Sequence, residues 1–191
     1  TLVSWLHSHG RPTFEVASPG LSSGTALGLV LLVPVTAALG VGARRLWSWM
    51  LAHRVRVLRW LPAAIGAAGL VTGLASLWVP AVVGNGRDAM EMAVGSGVPG
   101  ASSGATGTVM ALLVGIVALK PVLTGLTLGA GATGGRLAPS LATGSSAGAA
   151  LAIALQACGV EASVPVLAIA GAGAVLATTQ RAPVFGIVFT W

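Results

Sequence analysis

The sequence predicts an all-α protein that crosses a membrane several times, and three observations carry that reading. Of 191 residues, 55% are hydrophobic and 7% are charged, whereas soluble domains carry roughly 25% charged residues. Mean hydropathy is +0.92. Apolar segments of about twenty residues, long enough to cross a bilayer as helices, recur along the chain between glycines, prolines and single cations.

The formal charge of +6 comes from few basic residues, half of them gathered in one short stretch. That clustering reads as membrane orientation, and no nucleic-acid partner is expected. Cys158 is alone, so no internal disulfide forms. The chain starts at Thr1 and stops at Trp191 within an apolar run, which reads as a fragment of a longer transporter-like polypeptide.

Residues 1–20 form an extramembrane connector with no long apolar run. His7 and His9 have no third partner at ligand spacing except Glu15, so a plain loop is expected there and no metal site. Residues 24–43 are the first span, with Gly24 and Gly28 spaced for close helix packing and Pro34 placed for a kink. Residues 44–60 follow as a loop carrying Arg44, Arg45, Arg54, Arg56 and Arg59 among Trp47, Trp49 and Trp60. Arginines with interfacial tryptophans between two spans place this loop in the cytoplasm.

The second span is 61–79, with Pro62 in its first turn and Gly69 and Gly73 on one face. The stretch from Gly84 to Gly107 reads as an irregular or re-entrant connector, in which Arg87 pairs locally with Asp88 or Glu91. The third span, 109–128, is interrupted at Lys120-Pro121, which predicts a broken helix with the lysine facing a polar cavity. Residues 137–155 form the fourth span, 164–178 a shorter one, and 183–191 an incomplete one. Uneven, punctuated segments of this kind suggest the broken helices whose ends bind ions in transporters.

Within this plan, residues 129–144 stand out: a glycine-rich turn running into an apolar segment, with Arg136 and Pro139 at the junction. A helix starting near Leu137 points unpaired amide N–H groups and the positive end of its dipole at an anion. Two enzyme-like patterns overlap this region and are set aside, so no catalytic residue is expected. The dinucleotide pattern G-x-G-x-x-G from Gly129 to Gly134 lacks an acidic residue about twenty positions on. The G-x-S-x-G pattern around Ser146 lacks a later histidine, and helix packing explains Gly144 and Gly148. Between Met92 and Val160 no acidic residue occurs, while Lys120 and Arg136 lie in or beside the apolar segments. The pathway therefore suits an anion rather than a cation, with Lys120 as a pathway cation.

Gly134-Gly-Arg-Leu-Ala-Pro139 resembles the second-half glycine-x-phenylalanine-x-proline signature of the CLC chloride channels and proton/chloride antiporters. Leu119-Lys-Pro121, Leu141-Ala-Thr-Gly144, Ala168 to Leu176 and Arg181-Ala-Pro-Val-Phe-Gly-Ile187 follow the same order, and Gly84-Asn-Gly-Arg87 resembles a further family element. The resemblance implies two inverted repeats of tilted, broken helices, of which 21–191 would hold the last helix of the first repeat and most of the second, truncated. It implies a homodimer in the lipid bilayer of the cell membrane that transports chloride or a similar small anion, as channel or antiporter, with no cofactor. It places the anion on backbone N–H groups at the start of the signature helix, here Arg136 and Leu137 within Gly134, Gly135, Arg136, Leu137, Ala138 and Pro139. The family's gating glutamate, serine and tyrosine would fall outside this chain. Gly95-Ser-Gly-Val-Pro99 looks like the serine element but stands out of order. Leu137 and Arg136 replace the usual phenylalanine and a small or apolar residue. The rival readings are a transporter of an organic anion and a non-transporting scaffold or degenerate fragment.

Overall fold

A computed structural model describes residues 22–84, 86–96, 103–184 and 186. Their regular structure is helical: α1 Ser23–Ala52, α2 Leu61–Ser76, α3 Arg87–Gly95, α4 Ser103–Gly129, α5 Leu137–Ala157 and α6 Val164–Gln180. Short 3-10 turns at Leu58–Trp60 and Pro80–Val82 flank α2. Four of the described helices are long and apolar enough to cross a membrane, and α6 is shorter. The expected connector 1–20, with His7, His9 and Glu15, lies outside the described residues.

Helix α1 begins where Ser22 accepts a hydrogen bond from the Thr25 N–H, the usual way a hydroxyl occupies an orphan amide. Its buried residues Gly24, Gly28, Leu32, Thr36, Gly40, Ala43 and Trp47 recur every three or four positions and so form one stripe. A Cβ at Gly24 would strike the Glu161 carbonyl, and one at Gly28 would lie 2.7 Å from Leu167 Cδ2. The predicted packing face is therefore used inside this chain. Gly69 and Gly73 on α2 have no neighbour within 4 Å, so that face is open among the described residues.

Three expectations are corrected. The loop expected at 44–60 is helical as far as Ala52, because hydropathy marks where lipid stops being tolerated and not where a helix stops. Trp47, expected at the interface, is 1% exposed and donates its indole N–H to the Pro121 carbonyl at 2.8 Å. Helix α4 continues through Lys120-Pro121 instead of breaking there. Packed membrane helices tolerate an internal proline when neighbours supply partners for the freed backbone groups. The irregular connector expected from Gly84 to Gly107 contains α3 and the first turn of α4.

Helices α1, α4 and α6 run in one direction. Trp47 meets Pro121 and Met50 meets Gly125, while Gly28 meets Leu167 and Gly40 meets Thr178. Helix α5 runs the opposite way, since Ser140 meets Thr179 and Gly148 meets Leu167. Its apolar window is 67% buried against 6% for α2, so α5 is the central element. A Cβ at Gly144 would strike the Gly171 carbonyl and one at Gly148 the Leu167 carbonyl, so α5 and α6 pack backbone on backbone. That geometry explains the G-x-S-x-G pattern. Ser146 is fully buried, and its hydroxyl has no partner among the described residues.

Candidate anion-binding site

The glycine-rich turn is held at its beginning by the segment between α1 and α2. Val55 N–H donates to the Gly129 carbonyl at 2.9 Å, and Arg54 Nη2 reaches the Gly131 carbonyl at 3.4 Å. Gly131 takes φ +102°, a left-handed backbone that suits glycine, with Leu61 against the space a Cβ would fill. Residues 132–135 then run without regular structure and largely exposed. A Cβ added at Gly134 would lie 3.7 Å from Leu128 Cδ2, and one added at Gly135 would meet open space.

Helix α5 starts at Leu137, the start the sequence predicts, with Arg136 as its N-cap at φ −103°, ψ −5°. No side chain caps it. The N–H groups of Leu137 and Ala138 have no intrahelical acceptor by the geometry of a helix start, and Pro139 has no N–H to satisfy. The Arg136 carbonyl, by contrast, is doubly occupied: Ser140 donates to it from its N–H at 3.2 Å and from its hydroxyl at 2.6 Å. The Ser140 hydroxyl also lies 2.8 Å from the buried Thr179 hydroxyl on α6. The first turn of α5 is thus fixed by side chains while its amides stay available. Sequence reasoning misses Ser140 and Thr179; the one available signal is a serine four residues after the N-cap.

Lys120 is 3% exposed, and its ammonium donates to the carbonyls of Val82 at 2.7 Å and Gly84 at 2.9 Å. Those carbonyls sit at the end of the 3-10 turn Pro80–Val82 and just after it, and inside an apolar protein such groups must find partners. Lys120, Gly84, Thr72, Thr124, Thr127 and Pro139 line one cavity of about 140 Å³. The lysine lines a cavity, but one in which Val82, Val83 and Leu123 stand beside the threonines. The structure brings it to the same cavity as Pro139 of the signature helix, which no sequence spacing shows. Gly86, at φ +86°, joins the two: a Cβ there would lie 2.9 Å from Ala142 Cβ and 3.0 Å from the Ala138 carbonyl.

The other candidates separate from this site. Arg136 lines a different cavity, shared with Arg44, Arg45 and Arg181. Leu137 is 39% exposed, and Ala138 is half-buried under Gly86. Arg87 Nε pairs with Glu91 Oε1 at 2.7 Å on an exposed face of α3, the local pairing expected. That hydrogen bond to the Glu91 carboxylate holds the guanidinium above its ordinary pKa. No group of three metal-ligating side chains occurs among the described residues. Part of the Gly95 to Pro99 element lies outside them.

An uncapped helix start behind two glycines, beside a buried lysine, can hold a small anion by amide dipoles and charge without covalent chemistry. Among curated proteins, the chain is similar to the H(+)/Cl(-) exchange transporter ClcA of Cronobacter sakazakii, at 35% identity over 138 residues. The match covers 71% of this chain and 27% of that protein, so the chain spans about a quarter of its relative's length. No solved structure matches it. The family matched over residues 1–191 is described as voltage gated chloride channel. With the signature helix, the glycine turn and an all-helical membrane architecture in place, the chain belongs to the voltage gated chloride channel family.

Proposed function

We propose that this chain forms part of a multi-pass membrane protein that moves chloride or a similar small anion, as a channel or a proton-coupled antiporter. The observation that carries the reading is the start of α5: no side chain caps it, Gly134 and Gly135 precede it, and Pro139 shares a cavity with Lys120. Removing chloride from water is costly. Here the loss is offset by the amide N–H groups of Arg136, Leu137 and Ala138, by the helix dipole and by the Lys120 ammonium. Lys120 keeps one N–H beyond its two carbonyl bonds, which suits an electrostatic role toward the cavity.

Family membership supports the choice of chloride, and the name of the Cronobacter relative supports proton-coupled exchange. Residues 21–191 are assigned to the transmembrane domain and 1–20 to a connector. The family resemblance supports a homodimer in the cell membrane. Positive-inside bias supports a cytoplasmic position for the stretch 44–60. Chloride and fluoride flux from liposomes containing the full-length protein tests the function. Chloride efflux above that of protein-free vesicles is the expected result. Uptake of organic anions with no halide flux would overturn it, as would no transport of either.

A further inference from the structure

We propose a second anion site, for a phosphate group, in the basic cavity where α1, α6 and the turn ahead of α5 meet. The cavity, about 450 Å³, is lined by Arg44 and Arg45 of α1, Arg136 at the N-cap of α5, and Arg181 at the end of α6, with Ser48 and Gln180 among its polar groups. Four arginines from three separate stretches of sequence line it, and no acidic residue does. The ion pair found among the described residues, Arg87 with Glu91, belongs to α3. Like charges gathered without a partner repel one another, so the arrangement calls for a counter-ion of more than one charge. Phosphate supplies that charge, and its oxygens match the planar fork of arginine in pairs.

Three further features fit this occupant. The cavity is large for a single chloride, which the amides of α5 suit better. Arg181 closes α6 at φ +55°, a left-handed position where glycine or asparagine is the usual residue. An arginine stands there instead and lines this cavity. The position relative to the bilayer also agrees. The apolar residues 24–43 of α1 rise about 30 Å, the thickness of the hydrocarbon layer. Arg44 and Arg45 therefore stand where headgroups begin, and Trp49 and Trp60 are exposed beyond them as interfacial anchors. A phosphate reaches this place either on a lipid headgroup or free in solution. Because Arg136 belongs to both the cavity and the start of α5, occupancy bears on the geometry of the chloride site.

The test uses the full-length protein and a double variant, Arg45→Gln with Arg181→Asn, asparagine being a residue that tolerates the left-handed backbone. Phosphatidic acid retention is measured by native mass spectrometry, and radiolabelled inorganic phosphate binding by equilibrium dialysis. The wild type is expected to hold one phosphate-bearing ligand per chain, and the double variant to bind it at least about tenfold more weakly, a change of about 1.4 kcal/mol. Retention of the lipid alone identifies a headgroup site; binding of inorganic phosphate identifies a soluble one. Equal binding by wild type and double variant, or binding of neither ligand, overturns the proposal. Gly135→Val, which blocks the chloride site, is expected to keep phosphate binding intact, so failure of the chloride reading and failure of this one give different results. Size-exclusion profiles matching wild type establish that the variants fold.

Discussion

At the scale of single residues, the site depends on groups that do unlike work. Gly135 contributes space: a Cβ there meets nothing in the protein, so it would stand only in the way of a ligand approaching the amides. Gly135→Val is expected to abolish chloride flux from liposomes while membrane insertion and the size-exclusion profile stay unchanged. In the same assay Arg136→Ala is expected to change flux less if the backbone is the ligand, as proposed, and more if the guanidinium is. Lys120 contributes charge and also holds the backbone at Val82 and Gly84. Lys120→Met leaves two carbonyls without their donor, at a cost of about 1–3 kcal/mol each where buried. It is expected to lower the melting temperature in detergent and to slow flux by roughly tenfold, about 1.4 kcal/mol of barrier. The glycines and Pro139 are legible in the sequence, since each has a local backbone reason. The partners of Lys120 are not, because they lie 36 and 38 residues away.

At the scale of elements, glycine spacing alone does not separate a packed face from an open one. The pairs Gly24 with Gly28 and Gly69 with Gly73 share a spacing, yet the first meets Glu161 and Leu167 and the second meets nothing within 4 Å. Gly148→Val forces a side chain onto the Leu167 backbone and is expected to yield aggregated protein on size-exclusion chromatography, whereas Gly73→Val is expected to yield folded protein. Overpacking in cores typically costs about 1–3 kcal/mol, and backbone on the receiving side cannot move aside cheaply. Trp47 gives a milder test. Trp47→Phe keeps most of the packing but removes the indole hydrogen bond to the Pro121 carbonyl, so a loss of about 0.5–1.5 kcal/mol in stability is expected by thermal unfolding in detergent. The same contact explains why hydropathy misplaces two boundaries: α1 extends past its arginines, and α4 past its proline, where the two helices touch.

At the scale of the whole molecule, the helix directions place Ser22, Cys158 and Glu161 at one end and His53, Gly129 and Gly131 at the other. Cys158 is exposed, so it offers a native probe. A membrane-impermeant thiol reagent is expected to label Cys158 from one side of sealed vesicles and a His53→Cys, Cys158→Ser protein from the opposite side. Labelling of both from the same side would contradict the arrangement. The proposed orientation has position 53 on the cytoplasmic side. This arrangement buries α5 among α1, α3, α4 and α6 and leaves α2 largely exposed, which concentrates small and hydroxyl residues on α5 where helices must approach closely.

By itself, the sequence determined the membrane class, the approximate spans and the helix start at Leu137. Those follow from composition, hydropathy and local backbone chemistry, which act over a few residues. Only the tertiary structure decided that Lys120 and Pro139 share a cavity, that Arg44, Arg45, Arg136 and Arg181 converge on another, and that Lys120-Pro121 stays helical. Each depends on contacts between stretches far apart in the chain, and hydropathy and spacing carry no record of which helix faces which.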